Sequence, residues 1–302
     1  MHKEFLMGNA AIALGAVAAG VNVVAGYPGT PSTEVLETIA KHRPDDVYVE
    51  WSVNEKAAME LAAGASYAGA RSMVTMKQVG LNVASDPLMS LEYVGIKGGM
   101  VILVADDPGP ISSQTEQDTR HFSRFSKLPC FDPSSAQEAY EMIQEAFEYS
   151  EKYGTPVFLR PTTRVCHGYA SIMVKDETEY THHQPEGFIK DSKRWVIFPR
   201  LSFMNHKKIE ARNQELSDIF SSYEKNTIHP SCDAFKNSKK GIATGGISYT
   251  YTMETLKKTG NPAVVINVYH LRSRRFGESR HCKNISCENH DKPCTGRYFN
   301  SF

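Results

Sequence analysis

The sequence predicts an α/β fold built on a doubly wound, mostly parallel sheet. Short apolar runs rich in β-branched residues alternate with helix-like segments through the first half of the chain. One run, residues 100–105, is apolar without a break, which is typical of a parallel strand buried on both faces. Residues 52–70 are rich in alanine, so that a helix there can lie close against a sheet. Such an alternation indicates helices on both faces of the sheet.

Helix-capping and helix-stopping residues set the predicted bounds of the first helix, strand and loop. Residues 5–19 predict an Ala-rich helix that is stopped by Gly20 in the C′ position. Residues 21–26 predict a strand that ends in a tight loop. In that loop Thr30 is the predicted cap, and Pro31 is expected in the first turn of a helix that reaches about residue 42.

The next elements centre on one helix start. A strand at residues 47–51 leads into a helix at Ser52, and the spacing of Ser52 and Glu55 is that of a capping box. A strand at residues 72–76 is then followed by a polar, glycine-containing loop over residues 77–85.

The remainder of the first domain repeats this alternation. Asp86 and Pro87 predict a helix start, and the loop over residues 106–115 is long enough to suggest a function. Ser135 and Glu138 form a second predicted capping box. The helix that they begin is expected to stop at Gly154, before a strand at 156–160.

The domain boundaries follow from where this pattern weakens. Residues 1–164 are predicted to form the first domain, and residues 165–239 a connecting segment with a helix near 207–224. Residues 240–270 predict one further β-α-β unit. Residues 271–302 are basic, poor in aliphatic side chains and unpatterned, so we expect an irregular tail that is disordered or not native to the fold.

The composition excludes several classes of protein. The 302 residues contain 34 basic and 34 acidic side chains, so the net charge gives no argument for binding nucleic acid or an anionic membrane. No apolar run reaches the ~18 residues of a spanning helix. The apolar N-terminal stretch lacks a basic leader and runs into a strand, so we expect a cytoplasmic protein without a signal peptide.

Metal sites are not predicted. Cys130, Cys166 and Cys232 are scattered and are interpreted as reduced and unpaired. The tail contains histidines and cysteines whose spacing does not fit a zinc pattern: His281, Cys282, Cys287, His290 and Cys294. The acids after residue 105 could suggest a metal, but Asp106 and Asp107 are interpreted as turn residues and Glu116 as an acid in a first helical turn.

Five motifs in order carry a family resemblance. They are Gly26-Tyr27-Pro28-Gly29-Thr30-Pro31-Ser32, Glu50-Trp51-Ser52-Val53-Asn54-Glu55-Lys56, Met76-Lys77-Gln78-Val79-Gly80-Leu81-Asn82, Ala105-Asp106-Asp107-Pro108-Gly109 and Ser112-Ser113-Gln114-Thr115-Glu116-Gln117-Asp118. The chain resembles the thiamine-diphosphate-dependent 2-oxoacid:ferredoxin oxidoreductases, and within them the indolepyruvate branch. Residues 5–165 carry the resemblance strongly and 240–270 weakly.

The resemblance implies a domain type for each part of the chain. The first domain would be a pyrimidine-binding domain. Residues 240–270 would be the start of a transketolase C-terminal-like domain.

The resemblance also gives Glu55 a catalytic role. In these enzymes a glutamate bonds N1′ of the aminopyrimidine and so promotes removal of the C2 proton. Such a carboxylate has to be buried, because desolvation strengthens the bond. The alternative is that Glu55 only caps its helix, and Glu50 is the second candidate for the pyrimidine glutamate.

Two loops complete the implied site. Thr30 resembles the residue whose hydroxyl meets the substrate carboxylate, and it could also cap a helix. Gln78, Val79, Gly80 and Asn82 match the loop that lies against the pyrimidine, where a glycine allows close approach to a flat ring. Lys77 and Gln78 stand where pyruvate-type relatives have a Ser-Gly pair, which favours the indolepyruvate branch.

The implied activity is oxidative decarboxylation of an aryl 2-oxoacid to its acyl-CoA, with reduction of ferredoxin. A β subunit, ferredoxin, coenzyme A and the 2-oxoacid would be the partners, in an oligomer. No Gly-Asp-Gly diphosphate motif and no ferredoxin-type cysteine run occurs in the sequence. We therefore expect a truncated chain, with Mg²⁺ and [4Fe-4S] clusters held only in the complete enzyme.

Two alternatives remain open. The chain could be the pyrimidine-binding subunit of a non-oxidative 2-oxoacid decarboxylase, although residues 240–270 argue against this because such a subunit would end near residue 164. It could also be a catalytically silent module.

Overall fold

The structure is a computed structural model that describes residues 1–226, 228–230, 241–261 and 263–269. The strands are β1 (His2–Met7), β2 (Val23–Gly26), β3 (Tyr48–Trp51), β4 (Ser72–Lys77), β5 (Met100–Ala105), β6 (Cys130–Phe131), β7 (Val157–Leu159), β8 (Tyr169–Val174), β9 (Ile228–Pro230), β10 (Gly241–Thr244) and β11 (Val264–Asn267). The helices are α1 (Gly8–Ala18), α2 (Thr33–His42), α3 (Glu55–Tyr67), α4 (Gly80–Val94), α5 (Thr119–Phe125), α6 (Ala136–Tyr153), α7 (Thr163–His167), α8 (Ser192–Trp195), α9 (Pro199–Ser221) and α10 (Gly246–Thr259), with a 3₁₀ turn at Glu177–Glu179.

A six-stranded parallel sheet in the order β3-β2-β4-β5-β7-β6 forms the centre of the fold. Helices α1, α2 and α6 pack on one face, which we call the front face. Helices α3 and α4 pack on the other, the back face. The predicted doubly wound α/β fold is confirmed, and β5 is buried along its whole length as its apolar sequence indicates.

The N-terminal residues depart from the prediction. Residues 2–7 form β1, and the helix expected from residue 5 begins at Gly8. Strand β1 pairs antiparallel with β8, so the chain beyond residue 164 still belongs structurally to the first unit. Gly8, the first residue of α1, has to be glycine. A Cβ there would lie 1.8 Å from the carbonyl oxygen of Val165. Gly20 follows the end of α1 with a φ of 72°, as expected for a C′ glycine.

The predicted loop over residues 77–85 is wrong. Helix α4 begins at Gly80 and runs through Pro87, which the sequence suggested as a helix start. The buried residues Leu81, Ala84, Leu88 and Leu91 recur at helical spacing on the back face. Burial of this apolar stripe offsets the backbone hydrogen bond that a proline inside a helix removes.

The predicted start of α2 is also wrong. The helix begins at Thr33 with Ser32 as its N-cap, and Thr30 is joined to Pro31 by a cis peptide two residues before it. The loop between β2 and α2 is instead held by hydrogen bonds between its own residues. The Gly29 amide donates to Thr33 Oγ1 at 3.0 Å, and Ser32 Oγ donates to the Gly29 carbonyl at 2.9 Å.

The second predicted capping box forms in part. Ser135 Oγ accepts from the Glu138 amide at 3.2 Å, as expected. Glu138 does not return to the Ser135 amide; it accepts from the amide and the hydroxyl of Ser134 at 2.8 and 2.7 Å. Helix α6 then ends at Gly154, which has a φ of 57°.

The remaining segments contain more structure than the sequence suggested. The predicted helix near 207–224 is α9, which begins at Pro199. The expected β-α-β unit is β10-α10-β11, and β9 adds an antiparallel strand to its sheet. This unit contacts the first: Thr250 Oγ1 donates to the Ser134 carbonyl at 3.0 Å and the Tyr269 hydroxyl to Glu138 at 2.7 Å.

Several predictions fall outside the described residues. They are those made for Cys232, for the histidines and cysteines of the tail, and for the tail itself. Cys130 and Cys166 are buried and free, and burial raises the pKa of both thiols. In the ranges that the structure describes, no helix combines the length and apolar character needed to cross a bilayer.

Candidate active site

The carboxyl ends of the central strands form one edge of the sheet. Gly26 at the end of β2 pairs with Trp51 of β3 and with Thr75 of β4, and Lys77 pairs with Ala105 of β5. Strands β2 and β4 are neighbours, yet the helix after β2 lies on the front face and the helix after β4 on the back face. The loops therefore diverge between β2 and β4, and ligands of doubly wound sheets bind in the crevice at such a point.

Glu55 lies at this edge, in the first turn of α3. The predicted capping box with Ser52 is absent, because the N-cap is Asn54, whose side-chain oxygen accepts from the Ala57 amide at 2.9 Å. Glu55 is only 9% exposed. Among the described residues its carboxylate has neither a hydrogen-bond donor nor a cationic partner. Its carboxylate oxygens are not among the fully buried polar atoms, so the acid is covered along its stem while its oxygens stay open to accept from a ligand.

Gly80 makes room for this carboxylate. A Cβ at Gly80 would lie 2.3 Å from Glu55 Oε1 and 2.8 Å from its Cγ, so only glycine fits without displacing the acid. Gly80 is the first residue of α4, a helix of 15 residues. The Glu55 carboxylate thus lies against a helix N-terminus, where negative charge is favoured.

We expect Gly80→Ala to displace the Glu55 side chain, because the new methyl group overlaps its outer atoms, and to cost less than about 1 kcal/mol because that side chain is flexible. The matched control is Gly64→Ala in α3, where a Cβ would meet no atom within 4 Å and helix propensity predicts a gain of roughly 0.5–1 kcal/mol. Urea unfolding measures both variants. In a Glu55→Ala background the cost of Gly80→Ala should vanish; an undiminished cost would show that the overlap is with another group.

The other predicted cofactor residues surround Gly80. Gln78 is buried; its amide donates to the Thr115 carbonyl at 3.2 Å, and its side-chain oxygen has no partner within the described chain. Val79 is the half-buried N-cap of α4, and Asn82 is exposed in the first turn. The four residues, Gln78, Val79, Gly80 and Asn82, therefore line the start of α4 rather than a polar loop.

Thr30 follows β2, the strand that neighbours β4. It is exposed, in the loop between β2 and α2. The loop is fixed from behind by Asn9, whose side-chain amide donates to the Pro31 carbonyl at 2.7 Å and to Glu34 at 2.8 Å. Asn9 is a positioning residue that sequence reasoning missed.

Glu50, the second candidate for the pyrimidine acid, is differently placed. It accepts hydrogen bonds from the Tyr48 hydroxyl and from Ser52 Oγ, the latter at 2.9 Å. These bonds, that of Tyr48 first, lower the pKa of Glu50. Its partners are hydroxyl groups and not the surface lysine or arginine expected of a strand-end acid. Because Glu50 already has donors and Glu55 has none among the described residues, the geometry favours Glu55.

A buried ion cluster occupies the ends of β5, β6 and β7. Arg160 donates from Nε to Asp106 at 2.6 Å and from Nη1 to Asp132 at 3.2 Å, with all three side chains buried. Asp118 and Arg120 flank this trio and pair with each other at 2.7 Å. The interpretation of Asp106 as a turn residue is therefore wrong, because its carboxylate lies in the core.

The same cluster holds the loop over residues 106–118. Asp106 also accepts from the Thr119 amide at 3.0 Å. Asp107 Oδ2 accepts from the amides of Ile111 and Ser112, which folds the loop back on itself. Burial would raise the pKa of Asp107, but these amide donors outweigh it and lower the pKa. Glu116 accepts from the Gly109 amide within the loop, so it is not an acid of a first helical turn.

The family follows from a sequence comparison. A sequence profile described as "Pyruvate flavodoxin/ferredoxin oxidoreductase, thiamine diP-bdg" matches residues 14–244, more than half of the chain. The chain belongs to this family. The expected membership in the thiamine-diphosphate-dependent 2-oxoacid oxidoreductases is thereby confirmed.

Curated relatives at about 40% identity are indolepyruvate oxidoreductase subunits, and a 2-oxoglutarate synthase subunit matches at lower identity. The chain is 43% identical over 262 residues to the indolepyruvate oxidoreductase subunit IorA of Methanothermobacter thermautotrophicus, covering 85% of this chain and 41% of that protein. It is 42% identical over 263 residues to IorA of Pyrococcus abyssi, covering 86% and 40%. A 2-oxoglutarate synthase subunit KorA of Methanocaldococcus jannaschii is 30% identical over 189 residues, covering 59% and 51%. The chain thus spans about two fifths of the length of the IorA relatives.

A solved member of the oxidoreductase family has the same fold. The 2-oxoglutarate:ferredoxin oxidoreductase of Magnetococcus marinus superimposes with a TM-score of 0.69 at 18% identity, covering 88% of this chain and 54% of that one. At this identity the match supports the fold alone.

The described residues fit the aminopyrimidine half of the cofactor that defines the oxidoreductase family. The unpartnered Glu55 carboxylate offers an acceptor, and the absence of a side chain at Gly80 lets this carboxylate lie at the start of α4, beside the predicted ring-binding residues. Within the described ranges, His, Cys, Asp and Glu side chains form no group of three or more that could hold a metal ion.

Proposed function

We propose that this chain supplies the pyrimidine-binding part of an enzyme that oxidatively decarboxylates aryl 2-oxoacids such as indolepyruvate. The products would be the acyl-CoA, CO₂ and reduced ferredoxin. One observation carries the proposal: the Glu55 carboxylate, on a largely covered side chain, has no partner among the described residues and lies against Gly80 at the point where the strand order reverses. The IorA names of the relatives supply the substrate class.

Glu55 would act on the cofactor as a proton-sharing partner. Thiamine diphosphate, when bound, supplies the carbanion chemistry of the decarboxylation. The carboxylate of Glu55 would form a hydrogen bond with N1′ of the aminopyrimidine and share the proton of that bond. A bound ring that covered the carboxylate would strengthen this hydrogen bond, because a hydrogen bond to a charged acceptor is stronger where water is excluded.

The residues around α4 would hold and orient the ring. Gly80 leaves room for the Glu55 carboxylate that would meet the ring edge, and Val79 and Asn82 lie at the same helix start. Gln78 would add its unpartnered side-chain oxygen as an acceptor. From the loop after β2, the exposed Thr30 hydroxyl would donate to the substrate carboxylate.

The remaining functions belong to the complete enzyme. A β subunit, ferredoxin and coenzyme A are the proposed partners, in an oligomer that operates in the cytoplasm. Mg²⁺ with the cofactor diphosphate, and the [4Fe-4S] clusters that pass electrons, would be held by other parts of that enzyme.

The test is an assay of the complete enzyme with indolepyruvate, coenzyme A and a viologen dye. Acyl-CoA formation with dye reduction supports the proposal. Aldehyde and CO₂ without dye reduction would point to the non-oxidative decarboxylase, and no reaction with any aryl 2-oxoacid to a silent module. This chain alone should show no turnover, because its sequence has no Gly-Asp-Gly diphosphate motif.

A further inference from the structure

Lys77 occupies a fixed position at the mouth of the crevice. It is the last residue of β4 and is half-buried. Its stem lies against the Thr30 loop: a Cβ at Gly29 would be 2.8 Å from Lys77 Cδ and 3.0 Å from Cγ. Gly29 immediately precedes Thr30. The glycine therefore lets the lysine stem pack beside the residue expected to meet the substrate carboxylate.

The charge of Lys77 is not neutralised by the described part of the chain. Other lysines near this sheet have acidic partners: Lys56 pairs with Asp86 at 2.8 Å and Lys97 with Glu186 at 2.8 Å. Within the described residues, Lys77 forms no ion pair and no side-chain hydrogen bond. An unpaired surface lysine is ordinary, but one whose stem is packed at the ligand crevice of the fold is placed to receive an anion.

Lys77 and Glu55 lie on opposite sides of the end of β4. Side chains alternate along a strand, and Met73 packs with α2 on the front face whereas Met76 packs with α3 on the back face. Lys77 shares the front side with Met73, next to the Thr30 loop. Glu55 lies on the back side against Gly80. The separation explains why these opposite charges do not pair and leaves two distinct subsites.

We infer that the Lys77 ammonium binds the carboxylate of the 2-oxoacid substrate, together with the Thr30 hydroxyl. The inference rests on the proposed function and adds a residue to it. A 2-oxoacid is an anion at neutral pH, and a lysine ammonium is a compact point charge that suits a single carboxylate. The back side of the strand end then remains free for the aminopyrimidine.

The test compares Lys77→Met and Lys77→Arg in the complete enzyme with thiamine diphosphate. Lys77→Met should raise the KM for indolepyruvate roughly ten- to hundredfold, the value of a hydrogen bond to a charged group, with a smaller change in kcat. Lys77→Arg keeps the charge and should recover most of this loss. Lys258→Met, which removes an exposed lysine paired with Glu254, serves as the control and should leave KM unchanged.

A neutral competitor separates charge recognition from general damage. Indole-3-acetaldehyde has the same aryl group without the carboxylate, so its inhibition constant should be the same in Lys77→Met as in wild type. Hydrogen–deuterium exchange at C2 of bound thiamine diphosphate should also stay at the wild-type rate.

The outcomes are distinct. An unchanged KM in Lys77→Met, or equal losses for indolepyruvate and the aldehyde, would overturn the role of Lys77. Failure of the wild-type enzyme to turn over any aryl 2-oxoacid would contradict the proposed function instead.

Discussion

Glu55→Gln is expected to slow hydrogen–deuterium exchange at C2 of bound thiamine diphosphate by about 10²–10³, the usual loss when one preorganised charge-stabilising group is removed. A neutral amide cannot share the N1′ proton as a carboxylate does. The measurement belongs in the complete enzyme with its partner subunit. It is read by following the C2 proton of bound cofactor after transfer into D₂O.

The same variant should leave stability almost unchanged. Glu55 is the first residue of α3, the capping is done by Asn54, and no described residue donates to the Glu55 carboxylate. Glutamine has the same shape, so we expect a change of less than about 1 kcal/mol in the free energy of unfolding. Asn54→Ala is the matched control: it removes the cap, costs about 1 kcal/mol, and should leave exchange at C2 near normal.

Two results would reassign these roles. Normal exchange in Glu55→Gln would remove the residue from the chemistry and make Glu50 the next candidate. A large loss of stability with Glu55→Gln would show instead that the carboxylate holds the fold together.

The central sheet could be predicted because its signals are local. Met100–Ala105 is apolar at every position, and the C′ glycines Gly20 and Gly154 mark helix ends through their own backbone preference. These features depend on residues that are neighbours in sequence. The order of the motifs then led to the family without any knowledge of the contacts.

The errors arose where a distant contact decides the local structure. Residues His2–Met7 form a strand because they pair with Tyr169–Val174. The sequence of the six residues alone does not indicate a strand partner so far along the chain. Gly80 suggested a turn, yet it begins a helix and is glycine because the Glu55 side chain needs the space. The Ser52–Glu55 spacing matched a capping box, but Asn54 competes for the same role and takes it.

The site itself could be predicted only in part. The resemblance gave Glu55 and Gly80, and the structure places them in contact. Arg160 was the last residue of a predicted strand, and Asp132 had no role assigned to it. Arg160 binds carboxylates that follow two other strands, Asp106 after β5 and Asp132 after β6. A single sequence does not show which strand ends lie together.

Arg160→Met is expected to lower the free energy of unfolding by about 3–5 kcal/mol, the typical cost of removing one partner from a buried ion pair. Methionine replaces much of the volume but leaves the buried carboxylate of Asp106 without its cation and that of Asp132 with Arg120 alone, at 3.9 Å. Urea unfolding at pH 7 measures the loss. Lys258→Met breaks an exposed pair with Glu254 at 2.6 Å and should cost less than about 0.5 kcal/mol.

A second substitution separates stranded charge from lost packing. Adding Asp132→Asn to Arg160→Met removes one of the two carboxylates that lose the Arg160 pairing and should restore part of the stability. The effect should extend to the second unit, because Asp132 lies against Gly246 at the start of α10, where a Cβ would be 2.5 Å from its carboxylate. If Arg160→Met costs no more than the Lys258 control, the cluster contributes nothing to stability at neutral pH.

The pH dependence of Arg160→Met gives the most specific signature. Burial raises the pKa of Asp106 and of Asp132, and Arg160 opposes the rise in both. Without Arg160 both pKa values climb further above those of the unfolded chain, so the folded variant binds protons that the unfolded chain releases. Its stability relative to wild type must then increase as the pH falls from 7 towards the unfolded values near 4, because protonation removes the stranded charges. A deficit caused by lost packing alone would stay constant over the same interval, so equal deficits at pH 7 and pH 4.5 would refute the electrostatic role assigned to Arg160.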